Sequence, residues 1–84
     1  MAMKYAERHK QIGLKVAYYR KLRGLTQEDL AEKLGKSTAH IGSVEAMNVE
    51  RALSINALFE IADLLGVPPY KFLLFDEDDY HANK

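Results

Sequence analysis

Residues 22–45, "LRGLTQEDLAEKLGKSTAHIGSVE", decide the fold. Two apolar groups recur in this stretch at helical spacing, each behind its own start signal. Thr26 is an N-cap, and Asp29 three residues on makes a capping-box pattern with Asp in place of Glu. Leu30, Ala31 and Leu34 form one apolar face, and Gly35 ends that segment. Only Lys36 separates this glycine from Ser37, the next N-cap. The spacing predicts two short helices joined by a turn of about three residues that contains glycine, a helix-turn-helix arrangement.

The second of these helices, "STAHIGSVE" at 37–45, has two unlike sides. At about 100° per residue, Ile41 and Val44 point inward, with Glu45 and Ser37 at the flanks. Ala39 and Ser43 point directly away, Gly42 and His40 lie to either side, and Thr38 sits at the N-terminal tip. The outward side chains are almost all small.

Working outward, residues 6–23 carry Ile12, Val16 and Tyr19 at i, i+4 and i+7, one stripe of a first helix that Gly24 stops. Lys15, Lys21 and Arg23 lie off that stripe. Downstream, "AMNVERAL" at 46–53 reads as a loop with some helical leaning. Ser54 caps a fourth helix, "SINALFEIADLLG", with Ile55, Leu58, Ile61, Ala62 and Leu65 inward and Gly66 closing. In "VPPYKFLLF", Pro69 suits the first turn of a fifth short helix, where its missing N–H costs nothing. Only "YKFLLF" could pass for a strand. The expected fold is all-α, a compact five-helix bundle over residues 1–75, followed by an acidic, disordered tail at 76–84.

Composition bounds the function. A chain of 84 residues holds one domain, and 48 % hydrophobic with 29 % charged residues is ordinary for a globular one. The absence of cysteine excludes a disulfide framework and a thiolate metal site. No apolar run approaches the roughly 18 residues of a membrane span, and "MAMKYAERHK" lacks a signal-peptide core. A cytoplasmic protein is expected. Net charge is zero but unevenly spread: residues 1–24 hold seven Lys/Arg against one Glu, and residues 46–84 hold three against seven acids, four of them in "DEDD". A basic face with an acidic tail permits a DNA partner; a solvated first helix with a solubilising tail explains the same numbers. His9, His40 and His81 share no ligand spacing, and no Ser–His–Asp or paired-carboxylate arrangement is legible. No metal, cofactor, small-molecule ligand or enzymatic activity is expected.

The stretch at 22–45 resembles the core of the lambda-repressor/Cro-like (Xre-type) helix-turn-helix DNA-binding domains. "GLTQEDLA" follows that family's Gly-x-Thr-Gln-x-x-Leu-Ala pattern, and "SINALFEIADLLGVPPYKFL" is similar to its fourth and fifth helices. The resemblance covers about residues 12–74. It implies a bacterial or phage-type transcriptional regulator, of repressor or controller type, acting in the cytoplasm at the nucleoid. It further implies a homodimer on double-stranded DNA, with two half-sites about one helical turn apart. A protein-interaction or antitoxin-like module on the same fold is the alternative.

Residue by residue, the resemblance puts Gln27 at a position that holds a DNA phosphate at a helix N-terminus. It pairs Arg20 with Glu45 as an ion pair between the first helix and the end of the third. Thr38, Ala39 and Ser43 become base-facing, with Ser37 and His40 beside them, and Lys36, Asn48 and Arg51 become candidates for the phosphate backbone. Tyr70, Phe72, Leu74 and Phe75, with the outer face of the fourth helix, become the dimer seam.

Two departures qualify this. The base-facing positions lack the Gln, Arg or Asn that makes bidentate contacts to base edges. Three readings stay open: a helix seated deep in the groove with modest direct readout and reliance on DNA shape, binding dominated by phosphates, or a helix that binds another protein. The second departure is residues 46–53, about two residues longer than the common form, with Met47 where the family has Gly and Leu53 where it has Pro. One physical resolution is that the third helix runs on to Met47, with Asn48 as a left-handed cap in place of Gly.

Overall fold

The computed structural model describes residues 5–46 and 53–75. These form α1 (Ala6–Leu22), α2 (Gln27–Leu34), α3 (Thr38–Glu45) and α4 (Ile55–Leu65), then a 3-10 helix, η1 (Pro69–Leu73). The fifth helix is therefore one of the tighter kind, and "YKFLLF" is not a strand.

Side-chain caps set the starts of α2, α3 and α4. Thr26 Oγ1 accepts from the Asp29 N–H at 3.0 Å, and the Asp29 carboxylate accepts from the Thr26 N–H at 2.9 Å, a complete capping box. Ser37 accepts from the His40 N–H and Ser54 from the Ala57 N–H, each at 3.1 Å. Gly35 and Gly66 end α2 and α4 at φ 69° and 67°, a left-handed turn that a side chain resists. The exposed carbonyls at the end of α4 gain a further partner. Arg23 Nε donates to Leu65 O at 2.7 Å and Nη2 to Gly66 O at 3.2 Å.

The core consists of Val16 from α1, Leu30 and Ala31 from α2, Ile41 from α3, Leu58, Ile61, Ala62 and Leu65 from α4, then Val67 and Phe72. Phe72, expected at a dimer seam, is wholly buried, with Tyr19 edge-on at 5.3 Å. Its ring fills the space between α1 and α4 and belongs to the monomer. Ile55, expected inward, is 57 % exposed. It is the first residue of α4, two turns before the buried Ala62 on the same side of the helix.

Helix α3 ends at Glu45, because Ala46 turns extended at φ −70°, ψ 147°. The suggested extension of the helix is therefore broken at Ala46. Met47, Asn48, Arg51 and the tail at 76–84 lie outside the described residues. The end of α3 rests directly on α1 at Gly13. A Cβ there would run into the Val44 carbonyl oxygen and come to 3.4 Å from Glu45 Cα. Backbone meets backbone, which only glycine permits.

Candidate nucleic-acid interface

The face of α3 that turns from the core carries Thr38, Ala39, His40 and Ser43, all exposed, while Gly42 is partly covered. The opposite side is fixed: Ile41 is wholly buried and Glu45 is 9 % exposed. Lys36 and Ser37 are exposed in the turn before α3. The capping bond to the His40 N–H uses one lone pair of Ser37, leaving its O–H free to donate. Lys36, Ser37, Thr38, Ala39, His40 and Ser43 thus all face solvent from one turn and one short helix.

Glu45 is where three helices meet. Arg20 Nε donates to its Oε2 at 2.6 Å and Arg20 Nη2 to its Oε1 at 3.0 Å, a bidentate fork. Gln27 Nε2 donates to Oε1 at 3.0 Å, from the first residue of α2. Arg20 also donates from Nη1 to Leu25 O at 2.7 Å, which fixes the turn between α1 and α2. The hydrogen bond from Arg20 to Glu45 raises the already high pKa of the guanidinium, burial opposes that, and the charge of Glu45 adds to it. Arg20 stays charged at every working pH.

Gln27 therefore bridges two helices, and its amide lies over α3 near Gly42. Its second Nε2 hydrogen is not needed by Glu45. At the start of α2, Asp29 is held below the ordinary carboxylate value of 3.8, first by the Thr26 backbone N–H and then by the Thr26 hydroxyl.

Three features of this network were not foreseen from the residues: the Gln27–Glu45 bond, the Arg20–Leu25 bond and the Arg23 clasp on α4. Their partners are 18, 5 and 42 positions apart. Periodicity and cap patterns report only on neighbours three or four residues away, so they carry no signal for such pairs. Among the described residues there is no cluster of His, Asp and Glu that would hold a metal, and no helix is long and apolar enough to cross a membrane.

Two short helices at a tight Gly-containing turn, packed against a longer first helix with the second presenting an exposed outer face, define a helix-turn-helix domain. Residues 16–72 match the helix-turn-helix family, and the chain belongs to it. It is 38 % identical over 65 residues to an uncharacterized HTH-type transcriptional regulator of Methanocaldococcus jannaschii, spanning 77 % of this chain and 96 % of that one. It is similar to SinR, the master regulator for biofilm formation, in its crystal structure with DNA (TM-score 0.67, 32 % identity, 75 % of this chain and 98 % of that one). It is also similar to C.AhdI, a restriction-modification controller protein from Aeromonas hydrophila (TM-score 0.69, 28 % identity, 81 % and 98 %).

Proposed function

We propose that this chain is a transcriptional regulator that binds double-stranded DNA with α3 in the major groove. One observation carries the reading: α3 is anchored through Ile41 and Glu45 while Thr38, Ala39, His40 and Ser43 face outward. Gln27 and Ser37 sit in the first turns of α2 and α3, where unpaired N–H groups favour phosphate, and Lys36 adds a charge beside them. Asn48 and Arg51 are carried as further backbone contacts on the resemblance alone.

The chemistry of the face sets the kind of recognition. Ala39 and the Thr38 methyl suit thymine methyl groups, and Ser43 and His40 supply single hydrogen bonds. None makes the fork that reads guanine or adenine alone. Small side chains let the helix approach closely, so discrimination rests on phosphates and DNA shape as much as on base edges.

One such domain covers few base pairs, and a homodimer on two half-sites gives usable affinity. The proposed seam is Tyr70, Leu74 and Phe75, joined by Ile55 and Phe59 on the outer face of α4. Of these, Tyr70, Leu74, Ile55 and Phe59 are 59 %, 56 %, 57 % and 46 % exposed, which is apolar surface left open among the described residues.

A gel shift with the DNA upstream of its own gene tests the reading. Binding that weakens steeply with salt and prefers that fragment over a scrambled one is expected. Absence of binding at low salt would sink it and favour a protein-interaction module.

A further inference from the structure

Helix α1 has a second apolar stripe that stays exposed among the described residues. Leu14, Tyr18 and Leu22 recur at i, i+4 and i+8 and are 46 %, 60 % and 60 % exposed. At 100° per residue this stripe points away from Val16 and Arg20, the buried side of the helix. Glu7, Lys10 and Lys21 share the outward face. Glu7 makes only a loose contact with Lys10, 3.8 Å with its side chain 75 % exposed.

The order of these residues is self-complementary. Helix α1 has 17 residues, Ala6–Leu22, and Leu14 is its midpoint. Turn a second copy antiparallel about a two-fold axis through Leu14, and each residue meets the one equally far on the other side. Leu14 meets Leu14. Glu7 meets Lys21 of the second copy, twice by symmetry. Lys10 meets the Tyr18 ring of the second copy, also twice, in cation–π geometry. Tyr18 touches Tyr19 edge-on at 4.9 Å, and most of its ring remains in solvent. Sliding the axis half a turn either way carries Glu7 or Lys21 past the end of the other helix, so this register alone pairs all the charges.

We infer that the outer face of α1 is an interface between two copies of this chain, its helices antiparallel with Leu14 on the two-fold axis. The contact is isologous, one patch used by both copies. It lies on a different side of α1 from α3, which packs at Gly13 and Arg20. The segment 69–75 packs on other residues of α1: Tyr19 stacks on Phe72, and Lys15 lies 5.7 Å from the Phe75 ring centroid. The reading surface of α3 stays open when α1 is paired. Two helices in contact over about 25 Å bury less than the roughly 1,200 Å² of a standard interface. The association is therefore weak in free solution and strengthens where copies are held close together.

Sedimentation equilibrium of the full chain over a wide concentration range tests this. The wild type is expected to show a reversible step: monomer to dimer, or dimer to tetramer if the seam at Tyr70–Phe75 also forms. Glu7→Lys and Lys21→Glu each put like charges together twice and are expected to weaken that step about tenfold. The double variant restores the pairing and should return to within about twofold of the wild type. Leu14→Glu should abolish the step while leaving the thermal melt of the domain unchanged. A wild type without this step would overturn the inference and leave the face to a different partner. Indifference to Leu14→Glu, or a double variant as weak as the singles, would overturn it equally.

Discussion

Gln27 and Arg20 donate to the same oxygen of Glu45, each at 3.0 Å, so the start of α2 and the last turn of α1 hold the end of α3 through one carboxylate. Such a group is worth more for geometry than for net stability, because desolvation offsets much of the attraction. Removing it alone is another matter. Glu45→Ala leaves Arg20 charged and buried, and a loss of about 3 kcal/mol is expected in urea denaturation. Replacing both partners, Arg20→Met with Glu45→Leu, should cost clearly less. An unchanged melt for Glu45→Ala would show that the pair contributes nothing.

Gly13→Ala should destabilise although alanine is the better helix former. The gain in propensity is about 1 kcal/mol. Against it stands a methyl group driven into the Val44 carbonyl oxygen, a backbone atom that moves only if α3 moves. Overpacking of this kind costs about 1–3 kcal/mol. A lower melting temperature and weakened DNA binding are expected together. Gly35→Ala should also lower the melt, through its left-handed φ, but with DNA affinity largely kept.

The capping box should be visible in the acid limb of stability. Asp29 titrates lower in the folded chain than its ordinary 3.8, chiefly through the Thr26 N–H. Its contribution is complete above 3.8 and is lost as pH falls through the lower folded value. Asp29→Asn should flatten that part of a stability–pH profile and leave the alkaline limb alone. Coincident profiles below pH 4 would refute the assignment.

On DNA, Lys36→Gln and Ser43→Arg should behave differently. If Lys36 meets a phosphate as proposed, the first lowers affinity for all sequences alike and reduces the salt slope by about one. The second adds a charge and a bidentate donor, so general affinity rises and the preferred operator changes. If Ser43→Arg binds more tightly with the same ranking of sequences, that position lies outside the groove.

The parts of the fold legible in the residues are those written in local code. Thr26 with Asp29, Ser37, Ser54, Gly35 and Gly66 each satisfy or redirect the backbone within three or four positions, and the helix limits follow from them. The end of α3 carries no such mark. Ala46 and Met47 are good helix formers, and the chain nonetheless turns at Ala46, just past the residues that α1 holds. "YKFLLF" was opaque for a related reason. A run that is apolar nearly throughout shows no period, so nothing distinguished Phe72, which completes the core, from Leu73 and Leu74, which do not. At the candidate site, outward exposure followed from the helical period. The hydrogen bonds of Gln27 did not, because they join residues that meet only once the bundle has closed.

The Arg23 clasp on Leu65 and Gly66 has a kinetic implication. It joins the turn that introduces α2 to the far end of α4, across more than 40 positions of chain. A loop of that length must close before the guanidinium finds its carbonyls, and closure entropy delays such contacts to late in folding. Arg23→Met should therefore accelerate unfolding while scarcely changing the refolding rate, which makes this clasp a latch on the finished domain and not part of its nucleus.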